Sequence, residues 1–185
     1  MRAIILALTL LLGINNASAD SIDIGPAVGT AIPEFVVQDA TGASKKFADI
    51  TGSAGVVLVF VRSADWCQYC KKQLKEIQAI IGPLEKRGYR LVSVSYDTPE
   101  VLTKSAVQLG VSYPLLSDKG SAMIDAFALR DPQYSEKSRA FGVPRPAIFI
   151  VDRKGVVRAK LAEESYKIRP PAEVIITTVN ALSVH

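Results

Sequence analysis

The sequence predicts an α/β fold in which a central mixed β-sheet is flanked by helices on both faces. Three observations carry that prediction. VVLVFVR (56–62) is a continuous β-branched and aromatic run, the pattern of a strand buried on both faces, and YRLVSVSY (89–96) reads as a second buried strand. Each run is followed by apolar residues at helical spacing. Finally, AIFIVDRKGVVRAKL (147–161) reads as a strand, a turn at 152–155 and a second strand, which adds an antiparallel hairpin.

In chain order, residues 1–19 carry one basic residue, a continuous apolar run and the small-residue pattern Ala17-Ser18-Ala19. They read as a secretory signal peptide, because the apolar run at 4–12 falls well short of the about 20 residues a membrane span needs. The remaining residues, 20–185, are expected to form one domain. FVVQDATGASKKFADI (35–50) alternates around Thr41-Gly42 and predicts an N-terminal β extension, a hairpin or extended pair. The strand at 56–62 runs into Cys67. After Cys70, residues Leu74, Ile77, Gln78, Ile81 and Leu84 fall on one helical face, with Lys71, Lys72, Lys75 and Glu76 on the other, so Cys67 is expected at a helix start. Beyond the strand at 89–96, Asp97-Thr98-Pro99-Glu100 supplies a capping residue and a proline suited to open a helix over 99–109. A short strand at 113–118, a helix at 119–129, a polar loop at 130–139 and, after Pro170-Pro171, a last helix over 174–182 complete the reading.

Charge and composition exclude some classes of function. The formal charge of +4 falls to +3 without Arg2, and the lysines and arginines are scattered, so the basic footprint of nucleic-acid binding is missing. No stable membrane span is expected after signal removal. Export implies an oxidising compartment, the periplasm, in which two cysteines can remain joined.

Those two cysteines are the chemical signal of the chain. SADWCQYCKK (63–72) places Cys67 and Cys70 three positions apart behind the only tryptophan, Trp66. As a structural staple the pair closes a ring of four residues, worth only about 2 kcal/mol in the loop-entropy account. As half of a zinc site it lacks partners, because the only histidine is His185 at the C-terminus. The redox reading has a positive argument. A cysteine at the start of a helix meets unpaired N–H groups and the positive end of the helix dipole, which favour thiolate. Cys67 is therefore the candidate nucleophile. Cys70, one turn on, is the candidate resolving thiol that releases a partner from a mixed disulfide. Trp66 is either ordinary core or a wall of the reactive site.

WCQYCK after a buried strand, GVPRPAIFIVDRKGVV (142–157), IPEFVVQDATG (32–42) and LVSVSYDTPEVL with VSYPLLSD (91–118) together resemble the thioredoxin-fold superfamily. The likeness is to its peroxiredoxin-like redoxin branch, the alkyl hydroperoxide reductase/thiol-specific antioxidant family. The resemblance implies a thioredoxin-like fold and no cofactor. It also implies a proline, usually cis, facing the reactive cysteine, and Pro146 stands where the family pattern places it. A proline there leaves neighbouring backbone groups free to pair with a substrate strand. The departures are specific. Peroxiredoxins carry a proline and a hydroxyl residue where this chain has Phe60 and Ala64, and their late arginine is one position off at Arg145, with Arg62 a possible substitute. Thioredoxins often carry an aspartate and a proline where this chain has Val61 and Lys75. Asp65 and Glu76 are read either as solvent-facing charges or as candidates for a base acting on Cys70.

The first functional expectation is a thiol:disulfide oxidoreductase acting on protein thiols or disulfides, served by a reducing or oxidising electron-transfer partner. The alternative is a thiol peroxidase acting on small peroxides, in which Cys67 becomes a sulfenic acid and Cys70 condenses with it. A third reading, from another class, is a non-enzymatic binding module on the same fold.

Overall fold

A computed structural model describes residues 22–182, so the expected signal peptide at 1–19 lies outside the described residues. The sheet is built around β3 (Gly55–Phe60), whose six residues are all buried. β3 pairs in parallel with β4 (Tyr89–Ser95) and antiparallel with β6 (Ala147–Asp152). β5 (Leu115–Ser117) extends the parallel set beyond β4. β7 (Val157–Leu161) closes the hairpin with β6, and the short β1 (Val37–Gln38) and β2 (Ser44–Lys45) form the N-terminal extension. Among the described residues the order is β2-β1-β5-β4-β3-β6-β7.

Because side chains alternate across a strand, β3 feeds two cores. Val57 and Val59 face Cys70, Leu74 and Ile77, together with Leu102 and Ile175. Val56, Leu58 and Phe60 face Met123, Ile124 and Phe127. Helices therefore cover both faces: α2 (Gln68–Glu76), α4 (Pro99–Leu109) and α6 (Ala172–Leu182) on one, α5 (Ala122–Ala126) on the other. No helix among the described residues is long and apolar enough to cross a membrane.

Local chemistry explains where the elements agree with the sequence reading and where they depart. α4 opens as expected: the Thr98 side chain accepts from the Val101 N–H at 3.4 Å and Pro99 occupies the first turn. It stops at Gly110, which takes the left-handed conformation (φ 64°) that closes a helix. The helix expected after Cys70 is interrupted. α2 passes through a tighter 3₁₀ turn (Ile77–Ile80) into α3 (Ile81–Glu85). Pro83 has no N–H to give the Ala79 carbonyl, and its ring crowds that group. The helix expected over 119–129 shrinks to α5. The Asp118 carboxylate accepts from the Met123 and Ile124 amides, and Ala128 turns left-handed (φ 53°). A four-residue helix, α1 (Phe47–Ile50), was not anticipated; the Asp49 carboxylate accepts from the Lys46 N–H at 2.7 Å and holds its start.

Candidate redox site

β3 delivers the chain to the reactive loop at the C-terminal edge of the parallel strands, the customary place for sites in such sheets. A buried carboxylate fixes that loop. Asp97, just past β4, accepts from the Ser63 hydroxyl at 2.9 Å, the Ala64 amide at 2.7 Å and the Ser95 hydroxyl at 2.8 Å. The Ser63 hydroxyl oxygen in turn accepts from the Asp65 and Trp66 amides at 3.0 and 3.3 Å. Burial pushes the Asp97 carboxyl up from its ordinary value, against the pull of the Ala64, Ser95 and Ser63 hydrogen bonds. The residues ahead of Cys67 are thus held to the sheet by one side chain.

Cys67 is the N-cap of α2, with extended backbone (φ −85°, ψ 105°). Its Sγ accepts from the Cys70 N–H at 3.3 Å. The two are joined as a disulfide with Cα atoms 5.2 Å apart. Cys67 is 4% exposed and Cys70 fully buried. A backbone N–H aimed at the Cys67 sulfur, at the positive end of a helix, stabilises negative charge there.

Around the pair lies a cage of guanidinium and aromatic groups. Arg169, from the segment between β7 and α6, donates Nη2–H to Cys70 Sγ at 3.6 Å and is held by the carbonyls of Tyr166 and Ile168. Arg62 is 2% exposed and donates to the Tyr134 hydroxyl. Its guanidinium lies 4.1 Å from the Tyr166 ring centroid, 5.2 Å from Trp66 and 5.3 Å from Tyr134. Cation–π contacts reach about 2 kcal/mol when desolvated. Burial, then the neighbouring charge of Arg62, lowers the Arg169 pKa to about 10.

Trp66 is 43% exposed and its indole N–H donates to the Tyr96 hydroxyl at 3.1 Å, so it is not ordinary core. Arg145 enters through its backbone, whose N–H donates to the Leu129 carbonyl at 2.7 Å; the guanidinium that meets Cys70 is that of Arg169. Pro146 lines a small recess with Gln73 and Arg169. Its peptide bond is trans, because no bond among the described residues is cis, which corrects the cis form the resemblance implied. The Arg145 hydrogen bond and the bridge between Arg130 and Pro144 bring the chain into β6 already extended. Asp65 and Glu76 are exposed, Glu76 beside Lys72 at 3.7 Å, and the buried carboxylate nearby is Asp97.

Asp97, Arg169, Tyr134 and Tyr166 escaped the sequence reading. Asp97 carries a usable signal, a carboxylate at the end of a buried strand, but the same position equally suits a cap for α4. Arg169 had none, lying 99 residues from the cysteine it contacts. Beside these groups a groove of about 650 Å³ runs between α2 and the 162–171 segment, with Tyr69, Lys72, Gln73, Lys167 and Arg169 on its walls.

Known proteins resemble this arrangement in sequence and shape. Thiol-disulfide oxidoreductase ResA of Geobacillus thermodenitrificans is 26% identical over 133 residues, 71% of this chain and 67% of that protein. Alkyl hydroperoxide reductase E of Mycobacterium tuberculosis is 24% identical over 144 residues, 77% of this chain and 89% of its own length. The crystal structure of peroxidoxin BcpB from Mycobacterium tuberculosis superposes with a TM-score of 0.72 at 20% identity, covering 86% of this chain and 99% of that one. Residues 28–160, which carry both cysteines and the strands that position them, match the AhpC/TSA family, and the chain belongs to that family.

Proposed function

We propose that the protein is an exported thiol:disulfide oxidoreductase, with residues 20–185 as the mature chain, that exchanges disulfides with protein substrates through Cys67 and Cys70. The observation that carries this reading is the placement of the disulfide: Cys67 caps α2 with an amide N–H directed at its sulfur, and Cys70 lies fully buried one turn below. A substrate thiolate attacks Cys67 Sγ and Cys70 leaves. In the reverse direction Cys70 attacks the mixed disulfide and frees the substrate. The groove beside α2 and the backbone near Pro146 give a substrate chain somewhere to lie. A relative named as a thiol-disulfide oxidoreductase supports the assignment, and the pattern of residues 1–19 supports export to the periplasm.

A thiol peroxidase is the second reading. Relatives named as peroxide reductases and the guanidinium groups at the pair favour it. Ala64 opposes it, since the hydroxyl that peroxiredoxins present at that position is absent.

Cys70→Ser should trap substrate proteins as mixed disulfides on Cys67, seen as reductant-sensitive adducts on non-reducing gels, whereas Cys67→Ser should trap few. Equal trapping by both variants would refute the assigned roles.

A further inference from the structure

Arg62 is a buried cation and Arg169 a half-buried one. Among the described residues no carboxylate pairs with either, and the Nε atom of each is buried without a hydrogen-bond partner. The two are near enough that Arg62 depresses the ionisation of Arg169. Burying a cation is costly unless an anion stands beside it. The group that Arg169 reaches is the sulfur of Cys70, at 3.6 Å, and in the disulfide that sulfur is neutral. Reduction changes this, because a cysteine sulfur released from a disulfide can carry a full negative charge.

We propose that Arg169, with Arg62 behind it, is the counter-cation of the Cys70 thiolate, and that it thereby stabilises the reduced form and makes the pair an acceptor of electrons from substrate thiols. This deepens the exchange reading above and rests on it for the direction of transfer. The balance is explicit. A substrate thiolate forms a bond to Cys67 Sγ and breaks the Cys67–Cys70 bond, and Cys70 leaves as a thiolate beside Arg169. A second substrate thiolate attacks the substrate sulfur of the mixed disulfide and releases Cys67. Two substrate thiols are oxidised to a disulfide by two electrons, and the protein disulfide is reduced by the same two. Of the two protons lost by the substrate, one goes to Cys67 and one to solvent. The placement also explains why no base on Cys70 is needed: its thiolate is held by charge rather than generated by proton removal.

The stabilisation of a reduced form is what makes a dithiol couple oxidising. Equilibration of the full chain with glutathione buffers, followed by alkylation and mass measurement, reads it. Arg169→Gln should favour the disulfide by about tenfold or more in the equilibrium constant, a potential lower by about 30 mV for this two-electron couple. Arg169→Lys keeps the charge and should stay close to the parent protein. An unchanged potential in Arg169→Gln, or an equal drop in both variants, would overturn the proposal. A second readout is independent of substrate exchange. Cys67→Ser leaves Cys70 as the only thiol and should show thiolate ultraviolet absorbance at neutral pH, which Arg169→Gln in that background removes. Absence of that absorbance in Cys67→Ser itself would also overturn it. If the parent pair failed to cycle while the absorbance behaved as stated, the exchange reading would fail and the counter-cation would stand.

Discussion

Substitutions at Asp97 separate the cost of burying a charge from the benefit of the hydrogen bonds it accepts. The residue is 8% exposed, and burial raises its carboxyl above the ordinary 3.8. A carboxyl with a raised folded pKa holds its proton more readily folded than unfolded. Its stabilising contribution is complete below 3.8 and is lost as pH rises through the folded value. At neutral pH the ionised group is therefore a cost relative to its neutral form. Asp97→Asn removes the charge and keeps a carbonyl oxygen for the Ala64 amide and the Ser95 hydroxyl, while its NH₂ group replaces the oxygen that faces the Ser63 hydroxyl. It should be at least as stable as the parent at neutral pH, with the gap closing as pH falls through the folded value and gone below 3.8. Asp97→Ala leaves the Ala64 amide without its acceptor, and unlike the two hydroxyls that donor cannot turn away. An unsatisfied buried donor costs about 1–3 kcal/mol. Taking about 2 kcal/mol, the Tm should drop by about 4–8 °C for a chain of this size. Urea unfolding of the three proteins across pH, compared at equal m-value, measures both effects. A loss in Asp97→Asn as large as in Asp97→Ala at neutral pH, or a gap to the parent that ignores pH, would refute the reasoning.

Three further outcomes are expected. Phe127→Ala empties the centre of an aromatic cluster whose rings lie 5.0 Å (Phe60) and 5.7 Å (Phe149) away, and should cost about 3–5 kcal/mol by chemical denaturation. Asp39 is held well below the usual carboxylate range, chiefly by the Thr41 hydroxyl, with help from Lys45. Its contribution is present above 3.8 and fades as pH falls below it, so Asp39→Asn should lose no more than about 1 kcal/mol at neutral pH, and that loss should vanish in acid; a loss independent of pH would count against this account. Peroxide should oxidise the reduced protein slowly, because lacking one preorganised donor costs about 100- to 1000-fold in rate. Stopped-flow rate constants with peroxide and with a disulfide-bonded protein compare the two, and a much faster peroxide reaction would move Arg62 and Arg169 into a peroxide-polarising role.

The parts of this molecule that could be read from sequence are those whose cause is local. β3 announces itself because burial on both faces demands an unbroken apolar run, β4 because Leu91, Val92 and Val94 keep its centre apolar, and α4 because Thr98, Pro99 and Gly110 mark both ends. Cys67 and Cys70 are visible because their spacing is itself the chemistry. The shortened α5 was hidden, since it depends on Asp118 reaching forward to two amides and on a left-handed Ala128, neither of which hydrophobic periodicity records. The cage around the disulfide was hidden for a different reason. Its members come from the end of β3, the loop after β4, the 130–146 loop and the segment before α6, and only the fold brings them together.

Trp66 gives the molecule its own optical gauge. It is the only indole in the chain, adjacent in sequence to Cys67 and tied by its N–H to Tyr96. An excited indole beside a disulfide transfers an electron into the sulfur–sulfur bond and goes dark, whereas a dithiol quenches it less. Emission from the unlabelled protein is therefore expected to brighten as the pair is reduced, with no other tryptophan to dilute the signal. Each electron-pair transfer can be followed in real time, by light, at the residue next to the reacting sulfur.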